Sequence, residues 1–109
     1  SFVDCAAHVS LVNLVKDYSM FTEEETVYAR NPLTHVDFLL FRRMDKSPLL
    51  AIEVDGAAFH AVGSVQASRD EKKNRIFEQC GISLLRLRTD GSGEKARIEQ
   101  ALRSAVSNI

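Results

Sequence analysis

Apolar and polar positions recur along this chain with two different periods, and each period predicts one type of element. Spacings of three and four residues predict helices, and short β-branched or aromatic runs bounded by turn residues predict strands. The pattern predicts a helix over 5–18, strands over 26–29, 36–42 and 49–55, a helix over 67–80, a strand over 82–88 and a helix over 94–107. The order α-β-β-β-α-β-α indicates the α/β class, with a mixed sheet of about four strands flanked by helices.

The predicted helix over 67–80 connects two strands of this sheet. Its inward stripe consists of Ile76, Phe77 and Cys80, and Gly81 follows as a residue suited to a left-handed helix cap. A strand, a helix and a second strand in succession predict a right-handed crossover. The first predicted helix has an apolar stripe of its own, formed by Ala7, Leu11, Leu14, Val15 and Tyr18.

Length and composition fit one globular domain over residues 1–109, which we expect to be part of a larger protein. The net charge of -1 excludes a polybasic nucleic-acid binder, so an anionic partner must meet a local basic patch. No apolar run reaches the roughly 18 residues of a membrane span. Cys5 and Cys80 lie far apart without metal-type spacing. They predict reduced core cysteines in a cytoplasmic protein.

Three carboxylates interrupt two predicted strands that are otherwise largely apolar. Asp37 lies in "VDFLLFR", and Glu53 and Asp55 lie in "LLAIEVD". A short turn joins these strands, so they should form an antiparallel hairpin. With the turn centred on Asp45, Asp37 lies opposite Glu53, and a shift by two residues places it opposite Asp55. In both registers the three acids share one face, because strand side chains alternate.

Acids grouped on such a face repel each other and are costly to desolvate. A hard divalent cation compensates them most directly, since oxygen ligands suit Mg²⁺. The alternative is that they lie at the open end of the sheet and pair with Arg or Lys. His60 follows the acidic strand closely enough to act there as a general acid or base, although a histidine in this position is more often a surface residue.

Charged residues continue into the following helix and strand. Asp70 is placed near the start of the helix, where the helix dipole alone also favours an acid. Asp70, Lys73 and Asn74 share a stripe with Phe77, at the border between core and rim. The predicted basic surface consists of Arg69, Lys72, Lys73, Arg86 and Arg88. Such a surface can hold the phosphates of DNA without reading sequence, and the alternative is a solvated run of charges.

The blocks "HVDFLLF", "LAIEVDG", "RDEKKN" and "LLRLRTDGSGE" resemble the PD-(D/E)XK nuclease superfamily over about residues 35–95. They are most similar to the branch of very-short-patch-repair endonucleases and to nuclease-like domains at the C-terminus of bacterial DNA helicases. The resemblance implies a restriction-endonuclease-like core, a Mg²⁺- or Mn²⁺-dependent endonuclease activity on DNA in DNA repair, and a helicase domain in the parent chain.

The resemblance also implies roles for single residues. Asp37 and Glu53 match the metal-binding acids, and Asp55 stands where most of the superfamily has its lysine. His60 matches a histidine near the leaving group, and Asp70 matches an acid that follows it. The repair branch also uses a glutamate on its first helix, which is absent from "DCAAHVSLVNLVKDY". Its candidate replacements are Asp4, His8 and the acids at 23–25.

Three functions agree with these observations. The first is a metal-dependent nuclease domain. The second is a catalytically weak or inactive module of the same fold that binds DNA or positions a helicase. The third is a protein-interaction module, which predicts an exposed apolar patch and no DNA binding. Clustering of the carboxylates of Asp37, Glu53 and Asp70 would favour the first function, and Arg or Lys heads in that space would favour the others.

Overall fold

The computed structural model of the protein describes residues 2–55, 65–88 and 93–107, with the backbone alone for Asp55, Val65, Gln66, Arg88 and Ser107. Strand β1 (Val3–Ser10) continues into a 3₁₀ turn (Leu11–Asn13) and is followed by helix α1 (Glu23–Arg30). The remaining elements are β2 (His35–Arg42), β3 (Pro48–Asp55), α2 (Val65–Cys80), β4 (Ser83–Arg88) and α3 (Glu94–Ser107).

These strands form one mixed sheet in the order β1-β2-β3-β4. The first two pairings are antiparallel, and β3 and β4 are parallel, as expected for strands joined by a helix. The α/β class, the mixed sheet of four strands and its three flanking helices are therefore confirmed. Within the described residues, no helix is long and apolar enough to cross a membrane.

The first two elements are exchanged relative to the prediction. Residues 3–10 form β1 instead of a helix, because they pair with β2 along almost their whole length. Pairing of this kind overrides the helical spacing of the apolar residues, of which Leu11 and Val15 are nevertheless buried. Residues 26–29 belong to α1 instead of a strand, because Thr22 and Glu25 begin the helix with a capping box.

Two apolar clusters lie on opposite faces of the sheet. The larger cluster packs α2, through Ile76 and Phe77, against the sheet residues Leu39 and Ala51. The smaller one packs α3 against β3 and β4, with Leu50 at its centre. Cys80 is half-buried beside the larger cluster, whereas Cys5 is exposed. The prediction that Cys5 is a core residue is wrong, because the side chain is carried by an edge strand.

Glu25 joins α1 to α2 while it caps α1. Its Oε1 accepts a hydrogen bond from Thr22 N at 2.9 Å, and its Oε2 accepts one from Arg75 Nε at 2.5 Å. Only 4 % of Glu25 is exposed. The hydrogen bond from Thr22 N lowers the pKa of Glu25, and the guanidinium of Arg75 lowers it further against the opposing effect of burial. Glu25 therefore stabilises the fold as a carboxylate.

We expect Glu25→Gln to lower the free energy of unfolding by about 1 kcal/mol at neutral pH, because the amide keeps an acceptor for Thr22 N but loses the charge beside Arg75. Since the folded pKa lies below the unfolded value, this stabilisation is present above that value and is lost as the pH falls through the folded pKa. Urea unfolding at neutral pH and at pH 3 measures it. If Glu25→Gln lowers the free energy of unfolding by the same amount at both pH values, the charge of Glu25 is not the source of the stabilisation.

Candidate functional site

Three charged residues form a row across the sheet, on the face that α2 covers. Glu53 in β3 is paired with Arg86 in β4. The pairing of Phe38 with Ile52 continues by one residue to place Asp37 in β2 opposite Glu53. This is the register that the turn centred on Asp45 predicts. The parallel crossover brings Arg86 alongside the two acids.

Glu53 is a buried acid, and its cationic partner is supplied by α2. The residue is 7 % exposed, and its Oε1 accepts a hydrogen bond from Lys73 Nζ. The same ammonium group donates to the backbone oxygen of His35 at 2.9 Å. Only 14 % of the Lys73 side chain is exposed. The pair is thus largely shielded from water, so the loss of either partner would leave a buried charge without compensation.

Asp37 adjoins Glu53 and is oriented by the neighbouring strand. Asp37 Oδ2 accepts a hydrogen bond from Val54 N at 2.7 Å. Burial raises the pKa of Glu53, and the charge and hydrogen-bonding contact of Asp37 raise it further, while Lys73 lowers it. A second cation beside Asp37 would favour the charged form of Glu53.

The donor chemistry of this pair suits a magnesium ion. Mg²⁺ commonly binds through one or two carboxylates and completes its octahedron with water and substrate phosphate. Asp37 and Glu53 supply such a pair of oxygen donors. Among the described residues there is no group of three or more His, Cys, Asp or Glu side chains that could hold a metal. The side chain of Asp55 and the whole of His60 lie outside the described residues.

Asp70 is paired with Arg86 and, among the described residues, does not join Asp37 and Glu53 in a group of three that could hold a metal. Arg86 Nη1 lies 3.4 Å from Asp70 Oδ1, and Nη2 donates to Asn74 Oδ1 at 3.0 Å. The backbone oxygen of Arg86 in turn accepts a hydrogen bond from Arg97 at 3.1 Å. Helix α2 begins at Val65, so its first turn contains no acid, and the helix dipole does not explain the position of Asp70.

A cleft of about 510 Å³ opens beside Glu53 and Lys73. The cleft is bounded by residues of α1, of the segment between α1 and β2, and of the first half of α2. Its lining includes Tyr28, Asn31, His35, Arg69 and Asp70. Aromatic rings, an amide and both signs of charge therefore meet next to the candidate metal ligands.

The predicted basic surface is partly neutralised within the protein. Lys73 is paired with Glu53, and Arg86 with Asp70. Lys72 Nζ lies 3.9 Å from Glu24 Oε2. Arg69 is exposed and lines the cleft, and the side chain of Arg88 lies outside the described residues.

The candidates to replace the first-helix glutamate are dispersed. Asp4 is paired with Arg43 at 2.8 Å. Glu25 caps α1, while Glu23 and Glu24 line a separate groove. The ring of His8 stacks on that of His35, with 3.7 Å between ring centroids, at the margin of the cleft.

Tyr28 is the residue of α1 that lines this cleft, and it is not among the site residues predicted from the sequence. Burial raises the pKa of Tyr28, and the nearby charges of Glu53 and Asp70 act in the same direction. The Thr-x-x-Glu capping signal of α1 could have identified it, since it predicts the helix on which Tyr28 lies. The role of Lys73 as partner of Glu53 was also missed, although its shared stripe with Phe77 placed it at the border of the core.

Comparison with known proteins identifies the family of the chain. No curated protein and no solved structure gives a significant match. A family model described as "Protein of unknown function (DUF2726)" matches residues 2–106, from the start of β1 nearly to the end of α3. The chain therefore belongs to the DUF2726 family.

Proposed function

We propose that this protein is a nuclease domain that hydrolyses phosphodiester bonds of DNA with Mg²⁺ or Mn²⁺. The observation that carries the proposal is the buried Glu53 carboxyl, which adjoins Asp37 and is paired with Lys73. Asp37, Glu53 and Lys73 together are two acids and a lysine, the residue types of the PD-(D/E)XK motif. A buried carboxylate such as that of Glu53 needs a compensating cation. Lys73 supplies one within the fold, and a metal ion would add a second beside the half-buried Asp37.

The residues of the chain have separate roles in this proposal. Asp37 and Glu53 hold the metal ion, which lowers the pKa of bound water and offsets charge on the scissile phosphate. Lys73 approaches from α2 and takes the place of the motif lysine, where the sequence has Asp55. Its ammonium orients Glu53 and adds positive charge where the attacked phosphate becomes more negative.

Two further residues complete the proposal. Arg69 lies exposed in the cleft and is positioned to hold a phosphate beside the scissile one. His60 would transfer a proton near the leaving group, on the strength of the resemblance. The resemblance also supports attachment to a DNA helicase in the parent chain and a cytoplasmic location.

Asp37→Asn is expected to reduce cleavage at least about 10²-fold, because one metal ligand is lost. The amide keeps an acceptor for Val54 N, so the melting temperature should change little. Cleavage of plasmid DNA and of end-labelled single and double strands is measured in Mg²⁺, in Mn²⁺ and in EDTA. Asp45→Asn is the matched control, because Asp45 caps the β2–β3 turn through an oxygen that the amide retains. Metal-dependent cleavage that survives in Asp37→Asn would overturn the proposed site.

A second candidate function is a module of the same fold that binds DNA without metal. The observation that favours it is the pairing of Glu53 with Lys73 and of Asp70 with Arg86, since Lys and Arg heads beside these acids are what the functions other than a nuclease predict. This function predicts no cleavage under any of the conditions above. It also predicts DNA binding that weakens with salt and is unchanged by EDTA.

A further inference from the structure

We infer that the cleft beside Glu53 receives a single unpaired nucleotide, with its base against Tyr28 and His35, so that the substrate is single-stranded or frayed DNA. This inference rests on the proposed function for the position of the scissile phosphate. Its independent basis is the size, charge and aromatic lining of the cleft.

The charges around the cleft are unsuited to a duplex. Non-specific duplex binding comes mainly from many Lys and Arg contacts to phosphates. The described lining carries two cations, Arg69 and Lys73, and two acids, Glu53 and Asp70. A balanced lining holds one phosphate, not a run of them, so affinity must come from contacts to the nucleotide itself.

The neighbouring groove limits the path of a strand. This groove shares Tyr28 and Asn31 with the cleft but is lined by Glu23 and Glu24. Lys72, which also lines it, lies 3.9 Å from Glu24. Acids on that side repel a phosphate backbone, so Tyr28 separates a compartment that accepts a nucleotide from one that does not.

The size and lining of the cleft match one nucleotide. Pockets of about 300–1,000 Å³ hold single small ligands, and the 510 Å³ cleft falls in that range. Bases of unpaired strands stack on aromatic side chains, including Tyr and His. Asn31 Oδ1 accepts a hydrogen bond from Leu33 N at 3.0 Å, which leaves the amide group of Asn31 to donate to a base edge.

The ring of His35 is held in place before any ligand binds. His35 Nδ1 lies 3.0 Å from Leu33 O, and since a carbonyl only accepts, Nδ1 carries the proton. The ring of His8 covers one face of the His35 ring. His8 adopts a φ of 57°, a left-handed conformation that is strained for a non-glycine residue. In this conformation the His8 ring lies against that of His35, which lines the cleft.

Fluorescence titration of the complete chain with a 2-aminopurine oligonucleotide tests the inference. The single strand and its fully paired duplex are titrated separately. Ca²⁺ replaces Mg²⁺ in these titrations, because it also takes oxygen ligands. A gel verifies that the strands stay intact. We expect binding of the single strand to quench the fluorescence of its 2-aminopurine. We also expect the single strand to bind at least about tenfold more tightly than the duplex. Tyr28→Leu should weaken binding about tenfold, the effect of losing one base stack, and Tyr28→Phe should bind like wild type.

An exposed position provides a second variant in case Tyr28→Leu unfolds. Asn31→Asp keeps the acceptor for Leu33 N but replaces the amide donors with a negative charge, and it should weaken single-strand binding at least threefold, about 0.6 kcal/mol. Asn13→Asp adds the same charge at an exposed residue of the 3₁₀ turn and should have no effect. Equal binding of duplex and single strand, absence of binding to either, or equal effects of the two Asn variants would overturn the inference. Failure of hydrolysis with single-strand binding intact would instead overturn the proposed nuclease activity alone.

Discussion

Glu53→Ala is expected to abolish Mg²⁺ and Mn²⁺ binding in calorimetric titration and to reduce any cleavage at least about 10²-fold. The reason is that Glu53 and Asp37 are the adjoining oxygen donors of the described site, and one carboxylate alone is a weak ligand in competition with water. The titration measures the metal directly, so its result does not depend on knowing the right DNA substrate.

Two further variants separate metal ligation from folding. Glu53→Gln keeps the side-chain volume and an acceptor for Lys73, and it should lose metal binding while remaining folded. Glu71→Ala removes an exposed acid of α2 and should bind metal like wild type. If wild type fails to bind metal both alone and with DNA present, the metal site is refuted and the metal-independent DNA-binding function is preferred.

Lys73→Met is expected to lower the free energy of unfolding by about 3 kcal/mol at neutral pH, because it leaves the Glu53 carboxylate buried without its cation. For a domain of this size, the melting temperature should fall by roughly 10 to 20 °C. Lys72→Met is the matched control, since Lys72 reaches Glu24 only at 3.9 Å and the Glu24 side chain is 82 % exposed. Exposed pairs contribute about 0 to 1 kcal/mol, so this variant should be close to wild type.

The pH dependence of Lys73→Met tests the same pair. The folded pKa of Glu53 is raised above its usual value of 4.5, mainly by burial. The folded state therefore holds this proton more tightly than the unfolded state. The stability that comes from this tighter proton binding is complete below the unfolded pKa of Glu53. It is lost as the pH rises through the folded pKa. The loss of unfolding free energy in Lys73→Met should become smaller as the pH falls below the folded pKa of Glu53, because the carboxyl group is then neutral. In the double variant Glu53→Gln/Lys73→Met, which has no buried charge at this position, the loss should largely disappear. A deficit that is independent of pH and persists in the double variant would show that Lys73 acts by packing alone.

Local pattern was sufficient for the part of the molecule that carries the two acids. The period of two, the short turn around Asp45 and the shared burial of both strands allow only registers in which Asp37 and Glu53 face the same side. The spacing of Ile76 and Phe77 likewise specifies the face with which α2 covers the sheet. Both patterns depend only on residues that are close in sequence, so they can be recognised without the structure.

Local pattern failed at the N-terminal third of the chain. The apolar spacing over 5–18 is compatible with a helix, and only pairing with β2 makes residues 3–10 a strand. Pairing is a contact between segments that lie about thirty residues apart, and single-segment periodicity contains no information about it. The exchange of these elements also concealed Tyr28, because a strand over 26–29 would have directed its side chains differently.

The sequence by itself determined the α/β class, the crossover from β3 to β4 and the common face of Asp37 and Glu53, because each follows from periodicity and the order of short connections. The register that places Asp37 opposite Glu53, and not opposite Asp55, was decided by the structure. Only the tertiary structure decided that Lys73 pairs with Glu53, that Arg86 holds Asp70, and that Tyr28 and His35 line the same cleft. These partners come from elements that are distant in sequence, and the packing of α1 and α2 on the sheet sets their distances. Packing therefore decided which charges neutralise each other. It also decided which side chains line the cleft and can contact a ligand.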